Sequence, residues 1–212
     1  MRANSFGLSG KVRGSAFLAL GLALVAVLIG PVRAAPEAGQ FLSNLSDRAI
    51  ARMTEPDLSV AEKKRRFGAL VDEGFDIPAI GKFVLGRYWR DTSPAEQQEF
   101  LATFKDMMVS RFLPVFDDYS GERLKVGIAR PFAEGTRIVS VSSELAQAKG
   151  EPFKVDWRLL QQPDGGYKIV DIIAEGVSIA VTLRSEYTAA LKNNNGNVAE
   201  LMRILREKIA GG

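Results

Sequence analysis

The sequence predicts an α+β fold in which an antiparallel sheet packs with helices from both ends of the chain. Three observations carry this. Capping signatures, a capping side chain followed three positions later by Glu, recur at Ser59-Val-Ala-Glu62, Ser93-Pro-Ala-Glu96 and Asn197-Val-Ala-Glu200. Four runs rich in β-branched and aromatic residues lie between positions 122 and 174, joined by short turn-forming links. Helical patterns cluster before and after those runs, the arrangement of an α+β domain.

Taken in order, the chain opens on a leader. Arg2, Lys11 and Arg13 precede an apolar run from Ala16 to Ile29, and Val32-Arg33-Ala34 places small residues where a signal peptidase reads. An uncleaved anchor is the competing reading, but the run falls short of the roughly 20 residues a span needs. Cleavage is expected after Ala34, leaving residues 35–212 as one domain. Helices follow over about 38–54, 60–73 (ended by Gly74), 77–86 and 94–117. Pro94 at the first helical position strengthens the fourth start. Strands are expected near 122–130, 136–146, 152–161 and 167–174. Their links, Pro131 to Gly135, Lys149-Gly150 and Pro163-Asp-Gly-Gly166, favour an antiparallel meander. Two helices, 178–191 and 198–209, close the chain around an Asn/Gly turn at 192–197.

The most informative segment is the joint between the last long strand and the next helix. In Tyr167–Ala174, strict alternation places Ile169 and Ile173 on one face and Val170 and Ile172 on the other. A strand apolar on both faces is covered on both. Gly176 breaks the strand, Ser178 can cap, and Ile179, Val181, Leu183 and Tyr187 follow as an apolar-periodic run. No catalytic constellation is visible there.

Composition narrows the chemistry. The 212 residues include 28 Lys+Arg and 25 Asp+Glu, a formal net charge of +3. The leader holds four of the basic residues and no acid, so the remainder is close to neutral. Clustered positive charge of the kind nucleic acid requires is absent, and no nucleic-acid partner is expected. The dense run Lys63-Lys64-Arg65-Arg66 shares its helix with the stripe Phe67, Leu70 and Val71 and reads as a solvated face. Asn44-Leu-Ser46 matches a glycosylation pattern too short to carry weight. There is no cysteine and no histidine, which removes disulfides, His- and Cys-based nucleophiles and the usual zinc sites. No metal site and no cofactor are expected. Two acids remain to be weighed as bases: Asp171 within the apolar strand and Asp156 beside Trp157. A buried carboxylate can have a raised pKa, but pairing with an Arg is the commoner arrangement. No catalytic residue is assigned.

Apolar side chains are abundant. The long helix carries Phe100, Leu101, Phe104, Met107, Met108, Phe112, Leu113 and Phe116 in a wide stripe. A natural partner for it is the strand set Phe153, Val155, Trp157 and Leu159, extended by Val139 and Val141. Periodicity does not separate a filled core from a cavity walled by Phe and Met.

Two passages carry a resemblance. Phe75-Asp-Ile-Pro-Ala-Ile-Gly-Lys-Phe-Val-Leu-Gly-Arg-Tyr-Trp-Arg90 runs into Ser93-Pro-Ala-Glu-Gln-Gln-Glu-Phe100, and the strand–helix joint supplies Asp171, Glu175-Gly-Val-Ser178 and Arg184. Together, over residues 38 to 209, the chain resembles the MlaC family, the toluene-tolerance auxiliary proteins of an ABC transport system. The resemblance implies a strongly bent, four-stranded antiparallel sheet of the NTF2-like kind, with acyl chains held between sheet and helices. It implies a non-enzymatic periplasmic carrier that shuttles phospholipid, as cargo, between an outer-membrane lipoprotein complex and an inner-membrane ABC transporter with its substrate-binding subunit, so maintaining outer-membrane lipid asymmetry. Three alternatives stay open: a hopanoid-associated carrier of the same family, an NTF2-like enzyme using Asp156 or Asp171 as base, and a secreted interaction module with a solid core. The lipid-binding lining expected for a carrier is Phe83, Phe104, Met108, Phe112, Val139, Val141, Trp157, Leu159, Ile172 and Val177.

Overall fold

The computed structural model describes residues 34–117, 119–146 and 151–211. The leader up to residue 33, with its signal, and the turn expected at Lys149-Gly150 lie outside the described residues. Helix α1 (Ala34–Met53) turns Ala38, Leu42, Leu45 and Met53 inward at helical spacing. Helix α2 (Val60–Gly74) starts where Ser59 Oγ accepts the Glu62 N–H at 3.2 Å. Helix α3 (Ile77–Leu85) is capped by Asp76, which accepts from the Ala79 N–H at 2.9 Å. A Cβ on Gly81 would lie 2.3 Å from Leu101 Cδ2, so any larger residue there requires the Leu101 side chain to move. A 3-10 helix, Gly86–Asp91, then leads into α4 (Pro94–Phe112), whose Ser93/Glu96 capping box is complete.

α4 stops short of the expected residue 117. Pro114 has no N–H to return to an earlier carbonyl, and the chain tightens into a 3-10 turn over Leu113–Phe116. The sheet comprises β1 (Leu124–Pro131), β2 (Ile138–Leu145), β3 (Phe153–Gln161), β4 (Tyr167–Ala174) and β5 (Val177–Ser178). It is an open antiparallel meander in sequence order, with β5, a two-residue strand, added to the four expected. Helix α5 (Ile179–Asn193) follows β5 directly, and α6 (Val198–Gly211) begins where Asn197 Oδ1 accepts the Glu200 N–H at 3.1 Å.

One irregularity redirects β4. Arg158 pairs with Asp171 but Leu159 pairs with Ile169, so Val170 is an extra residue in the ladder. Ile172 and Ile169 therefore share a face, and the alternation expected from sequence, with Ile169 opposite Ile172, is corrected. The covered face is built of rungs: Val139, Leu159 and Ile169 in one, Val141, Trp157 and Ile172 in the next. Asp171 is turned to the reverse face beside Arg158.

The packing partner of the long helix is also corrected. α4 packs against α2, α3 and α6, and its Phe100, Phe104, Met107 and Met108 share a buried cluster with Val84 of α3, Leu201 of α6 and Leu183 and Tyr187 of α5. The sheet is covered instead by α1, whose Leu42 and Leu45 join Val139, Val141, Leu159 and Ile169 in a second cluster. Phe67 and Phe75 touch both clusters and mark the seam between them.

Candidate functional site

The joint where β4 passes into α5 lies beside the seam, with Val170 packed against the helical cluster and Ile172 against the sheet cluster. Asp171 is the organising group there, with its side chain 5 % exposed. Its carboxylate accepts from Arg158 Nη1 at 3.0 Å, Ser178 Oγ at 2.7 Å and the Ala180 N–H at 3.0 Å. Ser178 also caps α5, accepting from the Val181 N–H at 3.1 Å. One buried anion thus meets the positive end of a helix, a guanidinium and a hydroxyl. Arg158 lies over the Phe132 ring, 4.4 Å from its centroid.

Beside Asp171 is a small cavity of about 20 Å³, lined by Phe75, Ile80, Met108, Val170, Ile172, Ile179, Ala180 and Leu183. Four elements contribute to it: α3, α4, β4 and α5. Apart from the carboxylate, the lining is aliphatic or aromatic. A wider, open groove of about 410 Å³ lies between α1 and the irregular edge strand β1, lined by Pro36, Gly39, Gln40, Ser43, Val126, Gly127 and Ala129. Its walls are short-chained and shallow, with Gln40 and Ser43 as the polar side chains.

The ten residues expected to form a lining are distributed over several places. Met108 and Ile172 line the small cavity. Phe104 is wholly buried in the helical cluster, with Phe112 half-buried against it. Val139, Val141 and Leu159 are buried in the sheet cluster, with Trp157 half-buried beside them. Trp157 Nε1 donates to Ser143 Oγ at 2.8 Å, and Ser143 donates to the Val155 carbonyl at 2.8 Å, so the polar atoms on this apolar face are satisfied. Phe83 and Val177 lie on the outside, 40 % and 61 % exposed, and neither borders the cavity. The inward face of α3 is made by Ile77, Ile80, Gly81, Val84 and Leu85, and Phe83 lies outside that arc.

Sequence reasoning omitted Phe75, Ile80, Val170, Ile179, Ala180 and Leu183 from the lining. The apolar period of α5 contained the signal for Ile179 and Leu183. Val170 enters only through the bulge.

As candidate bases, the two acids differ sharply. Asp156 is exposed on the reverse face of β3. Asp171 is occupied by three donors, the arginine-paired arrangement. No group of acids among the described residues is placed to hold a metal ion. Tyr187 is buried between Phe100 and Phe104, with centroids 6.3 Å away in both cases. Its hydroxyl has no hydrogen-bond partner among the described residues, and burial holds its pKa well above the ordinary 10. No helix among the described residues is long and apolar enough to cross a membrane.

Comparison with known proteins places this architecture. The family model described as "MlaC protein" matches residues 43–207. The intermembrane phospholipid transport system binding protein MlaC of Haemophilus influenzae is 24% identical over 109 residues, a match spanning about half of each chain (49%). The toluene tolerance protein ttg2D of Pseudomonas putida is 21% identical over 160 residues, 75% of this chain and 71% of that protein. Among solved structures, the phospholipid-binding protein of Ralstonia solanacearum, determined in complex with a phospholipid, superposes with a TM-score of 0.73 at 22% identity. That match covers 82% of this chain and 98% of the other. A sheet ordered β1 to β5, helices drawn from both ends and a family match over most of the described residues agree: the chain belongs to the MlaC family.

Proposed function

We propose that this protein is a non-enzymatic periplasmic phospholipid carrier, exported by its leader, that moves lipid between an outer-membrane lipoprotein complex and an inner-membrane ABC transporter and so maintains lipid asymmetry. Membership of the MlaC family supports the lipid class. The observation that carries the reading is the apolar seam between sheet and helices, where four elements converge on an aliphatic cavity.

The physics of such a carrier follows from tail length. Burying a methylene is worth about 0.8 kcal/mol, so a sixteen-carbon chain left in water costs on the order of 12 kcal/mol. The tails must be enclosed, while the headgroup remains in solvent. A space of about 20 Å³ holds roughly one water. The sheet and helical clusters must therefore separate along the seam to admit a tail, with Met108, Ile172 and Leu183 as the walls that part.

Denaturing extraction of the purified protein followed by mass spectrometry tests this. Stoichiometric diacyl phospholipid is the expected result. Protein that carries none, and takes none from phospholipid vesicles, overturns it.

A further inference from the structure

On α5, the residues facing the protein are Ala180, Leu183 and Tyr187, all buried. The opposite face at this end should be polar in a helix that meets only water. It carries Val181 instead, 48 % exposed, with Arg184 one turn on. The Arg184 guanidinium lies over the Phe83 ring, 4.8 Å from its centroid, and against the end of α3 at Gly86, where any Cβ would be 3.2 Å from Nη2. Phe83, outward on α3, is therefore next to this face of α5. Val177, in the short strand β5 next to the Ser178 cap, is the most exposed of the three. Lys82, also exposed, adjoins Phe83. Neither Lys82 nor Arg184 has an acidic partner among the described residues, whereas Arg65, Arg66, Arg203 and Arg206 are all in ion pairs.

We propose that Phe83, Val177 and Val181, flanked by Lys82 and Arg184, form a docking surface for an anionic phospholipid bilayer. This deepens the carrier reading, on which it rests. Apolar side chains projecting from a cationic surface suit the headgroup–acyl boundary, where the cations meet phosphates. Location supports the assignment: Ile179, Ala180 and Leu183, on the other side of the same turns of α5, line the seam cavity. Docking here brings the wall that must move into contact with the membrane that gives or takes the lipid. Two uncompensated cations and three modest side chains make a weak, reversible contact, as repeated delivery requires.

Co-sedimentation with vesicles of phosphatidylcholine, and of an equimolar mixture with phosphatidylglycerol, tests the proposal. Binding to the anionic vesicles is expected to be about thirtyfold tighter, the equivalent of about 1 kcal/mol for each of two cations, and to weaken with salt. The double variant Val181→Ser/Arg184→Glu, and separately Phe83→Ser, should lose this preference while keeping the wild-type melting temperature and co-purifying lipid. Variants that bind anionic vesicles as the wild type does overturn the proposal, as does wild-type protein that binds neither vesicle. It also falls if the variants impair lipid transfer only when a partner protein is present. If the wild type binds anionic vesicles through these residues yet neither contains nor takes up phospholipid, the carrier reading fails and the surface stands.

Discussion

Replacing Asp171 by Ala tests the joint that holds α5 to the sheet. The substitution removes three hydrogen bonds from a side chain that is 5 % exposed. It leaves the Ala180 N–H buried without an acceptor, worth about 1–3 kcal/mol, and removes the anion from the start of α5, worth about 0.3–1 kcal/mol. Breaking a fully buried ion pair costs about 3–5 kcal/mol, but Arg158 is 31 % exposed and can turn to solvent, so loss of the pair adds only about 1 kcal/mol, the scale of a solvent-accessible pair. The total is about 3 kcal/mol. For a protein of this size each kcal/mol moves the melting temperature by about 2–4 °C, giving a fall of roughly 6–12 °C. Asp171→Asn keeps an acceptor, Oδ1, for the Ala180 N–H but replaces the oxygen that takes Arg158 and Ser178 with an amide nitrogen, and should cost about half as much. Calorimetry of both variants, with Arg158→Met and the Arg158→Met/Asp171→Ala double variant, completes a cycle with an expected coupling of about 1 kcal/mol or more. A shift below about 2 °C for Asp171→Ala, or strict additivity in the cycle, would refute the view that this carboxylate ties strand, helix and guanidinium together.

Val141 is wholly enclosed beneath α1, so Val141→Asp should cost at least about 3 kcal/mol or prevent folding; a stable, lipid-free variant would instead put Val141 on the wall of the lipid slot. Tyr187→Phe deletes a buried hydroxyl with no partner among the described residues, and equilibrium denaturation should show it within about 1 kcal/mol of the wild type. Because the folded pKa of Tyr187 is raised, stability falls as pH rises past 10; the Phe variant should lose part of that alkaline sensitivity, and an unchanged profile would count against the buried phenol. Hydrogen bonds first from Arg65 and then from Arg66 hold Glu62 at about 2, below its ordinary 4.5. With the folded value depressed, its contribution is complete above pH 4.5 and disappears as pH falls towards 2. NMR titration of the Glu62 carboxyl checks this, and a midpoint at 4.5 would contradict it.

The local chemistry of this chain is legible without a structure. Ser59, Ser93 and Asn197 are helix caps because their side-chain oxygens sit three residues before an N–H that needs an acceptor. The meander follows from short links between β-rich runs, and membership of the MlaC family was readable in the passages around Phe75–Phe100 and Asp171–Ser178. Tertiary structure decided what local patterns leave degenerate. A wide apolar stripe on α4 fits a sheet or other helices equally well; in the fold α1 covers the sheet and α4 packs on α2, α3 and α6. Phe83 and Val181 look like core residues in any hydrophobicity pattern, and only the packing of α3 on α5 turned them outward. The single extra residue at Val170 moved Ile172 onto the face of Ile169 and sent Asp171 to meet Arg158 and the start of α5. A bulge is a matter of register between two strands, a long-range relation that strict alternation along one strand cannot contain.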